Sequence, residues 1–406
     1  LNASHLTEKN LRVVILSPSL APYRVILFQR LGRLPGVQLH LIFDSSVAQY
    51  AKAQLDLLPC TYSLLPSRVF RVKNQWADKA GAYLTPSLWQ HLGEHSYDVL
   101  ITLGWTNLNS LLALAHSKLH SRAVVLWEDS ISHWAGWLKR FLMPLWKIYL
   151  GAFDAYIASS NGTIEYLVEM GARRERIALM PLVADNDFFA AESTRYRLSR
   201  EELKQELGIH TQYLILFVGQ LTARKGVTRL LDAFRDIASA RNDVSLMLVG
   251  RGPLREELLA RRAAFGLQER VFIQDFAPQT LLPKYYALAD VFVLPSVYDA
   301  FGVVVCEAMA CGLPIVTTNT VGATSNIVQD GVNGLIVPPQ QTQPLADALL
   351  NIIGDEALRA KMSAESRRII AGWNVDLSAQ NFLRGMELVA KPPHVSAIHS
   401  PKVGAE

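Results

Sequence analysis

Residues 295–316 read PSVYDAFGVVVCEAMACGLPIV. The run just before and into them, VFVLPS (291–296), has the composition of a buried strand, and GVVVCEAMA (302–310) that of a short helix. Gly312 is a C-terminal helix stop, and LPIVTT (313–318) is the next strand. Strand, loop, helix and strand in that order make one unit of a parallel α/β sheet. The loop carries a carboxylate, Asp299, with Phe301 and Gly302 at the turn, and the helix carries a second, Glu307. A helix start beside the carboxyl end of a parallel strand collects anions. Carboxylates there are wrong for phosphate and right for hydroxyls. The unit therefore points to a sugar nucleotide, with diphosphate on backbone amides and sugar and ribose hydroxyls on the acids. Ala300 and Val303, flanking the turn, fall beside the same ligand.

The same alternation extends in both directions. LRVVILS (11–17), VQLHLIF (37–43), YDVLITLG (97–104), SRAVVLWED (121–129), DAYIASS (154–160) and RIALMPLV (176–183) read as strands separated by helical patterns. A polar, charge-rich stretch over 186–209 interrupts the pattern, holding the short helix SREELKQEL (199–207). A new series then starts at YLILFVGQL (213–221) and runs through VSLMLVG (244–250) and RVFIQDF (270–276) to the two-carboxylate unit. The expectation is two Rossmann-like domains, 1–190 and 191–374, facing across a cleft. A last helix over 375–391 is placed to cross back to the first domain, and 392–406 reads as a disordered tail.

Bulk properties narrow the class. A chain of 406 residues is too long for one ordinary core. Half of its residues are hydrophobic and 19% charged, an ordinary globular balance. A net charge of +4 is too small to argue for nucleic acid. Cys60, Cys306 and Cys311 make neither a disulfide framework nor a thiolate metal site, which suits a reducing, cytoplasmic compartment. One region is less ordinary: HWAGWLKRFLMPLWKIYLGAF (133–153) interleaves aromatic and aliphatic residues with Lys139, Arg140 and Lys147. Its cations and Pro144 argue against a spanning helix. An interfacial helix on an anionic membrane has this pattern, and so does a core helix with its charges snorkelling outward.

Chemistry concentrates in the second half. GQLTARKG (219–226) lies between strand and helix, with Gly219 and Gly226 opening the backbone and Arg224 and Lys225 supplying charge for a leaving diphosphate. The GxxxxGK[ST] frame of a P-loop is missing. In VGRGPLREE (249–257), Gly250 and Gly252 read either as a tight turn or as backbone lining the nucleotide pocket. Phe276 follows a strand end where a base would be held. No clustered His or Asp spacing suggests a metal, and the basic groups can do its charge work.

The ordered set GQLTARKG, LVGRGP, YYALADVFVLPSVYDAFGVVVCEAMACGLPIV and VQDGVNGLIVPP resembles the retaining, nucleotide-sugar-dependent glycosyltransferases of family 4. The resemblance implies the GT-B fold and a nucleotide sugar as co-substrate, with no cofactor. It implies that Asp299 contacts donor-sugar hydroxyls, that Glu307 contacts the ribose, and that Lys225 meets the diphosphate. Gln220 stands where the family has an arginine, so Arg224 takes that charge. Asn326 stands where an acid is common, and Asp275 where glycine is common. The first half implies a variable acceptor. SPSLAPYR (17–24) puts Tyr23 and Arg24 at a helix start, where the arginine suits a lipid-linked acceptor phosphate. Trp105, Glu128, Asp129 and His133 follow strand ends at the same cleft, as a sugar platform and acceptor-orienting groups. The type resembled builds bacterial cell-surface polysaccharides on glycan or lipid-linked acceptors. A sugar-nucleotide epimerase of the same fold, or a catalytically degenerate scaffold subunit, would carry similar motifs.

Overall fold

A computed structural model describes residues 10–71, 81–105, 107–129 and 137–390. In the N-terminal half the strands are β1 (Leu11–Ser17), β2 (Val37–Asp44), β3 (Thr61–Leu65), β4 (Arg68–Arg71), β5 (Gly81–Leu84), β6 (Val99–Leu103), β7 (Ala123–Glu128), β8 (Ala155–Ala158) and β9 (Ile177–Leu179). Seven of them form a parallel sheet in the order β3-β2-β1-β6-β7-β8-β9, and β4 pairs antiparallel with β5. The second half holds β10 (Tyr213–Val218), β11 (Val244–Val249), β12 (Val271–Gln274), β13 (Val291–Leu294), β14 (Ile315–Thr318) and β15 (Gly334–Val337). These make a parallel sheet in the order β12-β11-β10-β13-β14-β15. The architecture is α/β, two Rossmann-like domains, as the alternation predicts.

The pleat explains the runs of apolar residues. Val13, Ile15, Leu39, Leu41, Val99 and Ile101 point to one face of the first sheet, while Val14, Leu16, Ile42 and Leu100 point to the other. Both faces are covered by helices, so strands need no polar side. The helix Val375–Ala390 packs on the helix Pro22–Leu31 and on β8 and β9, and thus belongs spatially to the first domain. A Cβ added at Gly385 would already touch the Ala178 Cβ at 3.5 Å, so the helix lies close on the sheet, and Arg30 pairs with Asp376 at 2.6 Å.

The polar stretch after residue 185 is more ordered than its composition suggests. A helix spans Asn186–Arg197, capped by Asp185, whose carboxylate accepts from the Phe188 amide at 3.1 Å. It packs against the helices Leu282–Leu288 and Val303–Ala310, so a boundary at 190/191 falls inside an element of the second domain. The tail from residue 391 lies outside the described residues.

The strand orders position the site. The order in which strands are added reverses between β1 and β6 in the first domain and between β10 and β13 in the second. Ligands of open parallel sheets bind at such switch points, outside the carboxyl ends of the strands. The loops concerned are those after β1 and β6, and after β10 and β13.

Candidate active site

The loops after β10 and β13 are locked together. The Val297 amide donates to the Arg224 carbonyl at 2.8 Å, and the Arg224 guanidinium donates to the Tyr298 carbonyl at 3.1 Å. Lys225, buried, donates to Asp299 Oδ2, and Arg224 Nη1 lies 3.9 Å from Asp299 Oδ1. Asp299 is thus held by two cations and also by its amide, which donates to the Thr320 carbonyl at 3.1 Å. Gly302 takes φ +84° to start the helix Val303–Ala310. A Cβ there would stand 3.0 Å from both Leu294 and Val321, so glycine is required by conformation and by space.

Glu307 lies inside that helix and is 6% exposed. Its Oε2 accepts from the Tyr286 hydroxyl at 2.8 Å. Burial raises its carboxyl to about 7, with the Tyr286 hydrogen bond pulling the other way. Tyr286 was legible in the sequence only as part of an amphipathic helix; the pairing needs the fold.

A cavity of about 390 Å³ opens at this point. Its walls include Lys225, Asp299, Gly302 and Glu307 from the second domain and Tyr23 and Asp129 from the first. Phe276, Ala300, Phe301 and Val303 line it as well. Val303 and Val304 at the start of the helix Val303–Ala310 line a chamber edged by one lysine and three carboxylates, Asp129, Asp299 and Glu307. That set can take a diphosphate on N–H donors and cation, and hydroxyls on the acids. Phe276, 61% exposed beside an Arg251–Asp275 ion pair of 2.5 Å, gives the chamber an open aromatic edge.

Other expected residues fall elsewhere. Gly250 and Gly252 serve the contact between neighbouring loops: Cβ atoms there would stand 1.9 Å from the Gly219 carbonyl oxygen and 2.3 Å from that of Leu221. They, Gly219 and Gln220 lie outside the cavity wall, and Gln220 instead accepts from Arg224 at 3.4 Å. Arg24 is buried and committed to Asp129 at 2.5 Å, with its guanidinium over the Tyr23 and Trp127 rings. Its Nε is buried without a hydrogen-bond partner, and the residue is not among those lining the cross-domain cavity. Asp129 spends its other oxygen on the Trp127 indole, 2.9 Å away. Glu128 is 3% exposed, accepts from the Trp105 amide and is not among the residues lining the cross-domain cavity. Trp105 is buried, bonded through its indole to Tyr166 at 3.1 Å and set edge-on to Trp146. A sugar platform in the cleft is therefore not its place. His133 lies outside the described residues.

Two residues link the domains around the chamber. Trp373 stacks on Phe301 with ring centroids 6.4 Å apart, and its indole donates to the Leu182 carbonyl at 2.9 Å. Asn326, where the resemblance leads one to expect an acid, accepts from the Asn161 amide of the opposite domain at 3.1 Å. Spacing along the chain shows no metal-ligand cluster, but the fold makes one possible in space. The fold brings His40, His91 and His95 together, with one ring nitrogen of each within 4.8 Å of the others. Burial and the two neighbouring histidines lower His40 to about 4.

Residues 199–369 match the family described as Glycosyl transferases group 1, and residues 5–182 match the Glycosyl transferase 4-like domain. Two such matches, one on each domain of a GT-B fold, support a GT-B glycosyltransferase. It is 31% identical over 205 residues to an alpha-D-kanosaminyltransferase of Streptomyces kanamyceticus, covering 50% of this chain and 52% of that protein. It is 32% identical over 233 residues to a D-inositol 3-phosphate glycosyltransferase of Xylanimonas cellulosilytica, covering 55% of each. The chain thus matches about half the length of these relatives. In fold it is similar to Anabaena HepE, solved in complex with UDP. The TM-score is 0.73 at 19% identity, over 93% of this chain and 100% of that one.

Proposed function

We propose that this protein transfers a sugar from a nucleotide diphosphate sugar to a hydroxyl of a glycan or lipid-linked saccharide, with retention of configuration. The observation that carries the reading is the cross-domain chamber in which Lys225, Asp299, Glu307 and the start of the helix Val303–Ala310 converge. Glu307 holds the ribose, Asp299 the donor-sugar hydroxyls, and the amides after Gly302 the diphosphate. As the glycosidic bond breaks, charge builds on the leaving diphosphate. Lys225 and Arg224 stabilise it without a metal. The acceptor hydroxyl enters from the side of Tyr23 and Asp129 and loses its proton to a donor phosphate oxygen. Closing the two domains on the donor excludes water and favours transfer over hydrolysis. UDP or GDP is the carrier, with UDP favoured by the likeness to the UDP-bound HepE structure.

A seat on a membrane surface accompanies this reading, as a lipid-linked acceptor would require. The helix Trp137–Gly151 exposes Leu145 and Ile148. With Leu108 and Leu111, also exposed, Leu145 borders an apolar cavity of about 460 Å³ over Trp105 and Trp146. Among the described residues no helix is long and apolar enough to cross a membrane. Surface attachment by this edge of the first domain is consistent with synthesis of surface polysaccharide on a lipid carrier.

The direct test incubates the purified chain with UDP- and GDP-sugars and membrane extract as acceptor source, then determines the product anomer by NMR. Sugar transfer with the donor's anomeric configuration, abolished in Asp299→Asn, supports the reading. Epimerised product or free nucleotide released without an acceptor product overturns it in favour of an epimerase.

A further inference from the structure

The three histidines gathered on the first domain have no part in the chamber. His40 lies midway along β2, on the same sheet face as Val14 and Ile42. That face is covered by the helix Leu88–Glu94, which carries His91 in its last turn and is followed directly by His95. An i, i+4 spacing puts His91 and His95 on one side of the helix end, over β2. Their ring centroids are 4.2 Å apart, and those of His40 and His95 are 4.9 Å apart. Three imidazoles tilted against one another are an unusual use of a half-buried surface.

The hydrogen bonds set the rings up as ligands. His95 Nδ1 lies 2.8 Å from the His91 carbonyl oxygen, which can only accept. The proton is therefore on Nδ1, and Nε2 of His95 keeps its lone pair. This is the backbone-carbonyl partner that commonly fixes the tautomer of a metal-bound histidine. The His91 Nε2 atom is buried and has no hydrogen-bond partner, an uncompensated cost. His40 has a hydroxyl at each nitrogen, Thr61 at 2.8 Å and Ser63 at 3.0 Å. One hydroxyl can hold the N–H while the opposite nitrogen turns to an ion.

We propose that His40, His91 and His95 form a binding site for a divalent first-row transition metal ion of the zinc type. Three imidazoles and no carboxylate select such an ion over Ca²⁺ or Mg²⁺, which take oxygen ligands. Around a tetrahedral ion with bonds of about 2.0 Å the three nitrogens would stand roughly 3.3 Å apart. Small rotations of the His91 and His95 side chains at the helix end close the present separation. The fourth position takes water or the Ser63 hydroxyl. The ion would pin the end of the helix Leu88–Glu94 to β2 and to the edge strand β3. None of the three residues lines the cross-domain cavity, so the role is to stiffen the first domain and not to carry the transfer.

The test uses the tag-free full chain, stripped with chelator and dialysed. Zn²⁺ is titrated against a chromophoric competitor, and Co²⁺ is added separately to record visible absorption. The site predicts one Zn²⁺ per chain with submicromolar affinity, a rise in Tm of about 3 °C or more, and the d–d bands of a low-coordinate Co²⁺ ion. His40→Gln and His95→Ala should each weaken binding at least tenfold, with the fold checked by circular dichroism. His116→Ala is the control, since His116 and His120 form a second stacked pair on a neighbouring helix. Failure to bind Zn²⁺ at 10-fold excess, or binding lost in His116→Ala but kept in His40→Gln and His95→Ala, overturns the proposal.

Discussion

The Tyr286 hydroxyl donates a 2.8 Å hydrogen bond to Glu307 at the floor of the cross-domain chamber, with both side chains buried. The tyrosine favours the carboxylate, but desolvation is the larger effect and carries Glu307 up to about 7. A carboxyl poised near neutrality inside the chamber has consequences for both stability and binding.

For stability the direction follows from proton binding. The folded carboxyl, near 7, holds its proton over a range in which the unfolded chain, near 4.5, has released it. Its contribution is fully present below about pH 4.5 and is lost as pH rises through 7. At pH 8 the buried carboxylate costs on the order of 3 kcal/mol relative to a neutral isostere. Glu307→Gln is therefore expected to be more stable than wild type at pH 8 and close to it at pH 5. Urea denaturation at the two pH values checks this; the same difference at both would exclude the buried-carboxyl account.

For binding, only the carboxylate can accept from both ribose hydroxyls. Affinity for a nucleotide sugar, whose esterified diphosphate keeps its charge over this range, should rise about tenfold from pH 6 to pH 8. Titration calorimetry on wild type and Glu307→Gln measures it. A slope that survives in the variant assigns the titration to another group.

The Lys225–Asp299 pair predicts strong non-additivity. Lys225→Met leaves a buried carboxylate with Arg224 at 3.9 Å as its remaining cation, at a cost of about 3 kcal/mol. Adding Asp299→Asn should restore more than 1 kcal/mol of that, because the stranded charge is gone. Transfer should stay at least a hundredfold down in both variants, as the leaving diphosphate has lost its cation. Simple addition of the two stability losses would show that the ions do not act as a pair.

Membrane seating has its own signature. Leu145→Glu with Ile148→Glu places two charges on the exposed side of the helix Trp137–Gly151. Co-sedimentation with anionic vesicles should drop severalfold, while nucleotide binding stays unchanged. Unaltered sedimentation would leave that helix as an ordinary surface element.

Much of the donor half was legible because its chemistry is local. Asp299, Gly302 and Glu307 sit within one strand–loop–helix unit, whose periodicity and turn glycine place them without knowledge of any distant contact. Lys225 needed one further step, the adjacency of β10 and β13 that a doubly wound sheet imposes. The acceptor half was less legible for a physical reason. Whether Arg24 meets a ligand or Asp129 depends on a helix start and a strand end 105 residues apart, and no pattern in the chain encodes that choice. Tyr286 with Glu307, Trp373 with Phe301, and His40 with His91 and His95 are likewise products of packing. The helix Asn186–Arg197 was hidden by its polar composition, since tertiary contact with the helix Leu282–Leu288, and not intrinsic amphipathicity, holds it.

The central claim is that the chamber between the domains is a nucleotide-sugar site. Calorimetric titration of the purified chain with UDP, GDP and ADP tests it most directly. One nucleotide should bind at a single site per chain, at least tenfold more weakly in Lys225→Met and in Glu307→Gln at pH 8. No binding by any of the three to a folded chain, or equal affinity in wild type and both variants, would contradict it.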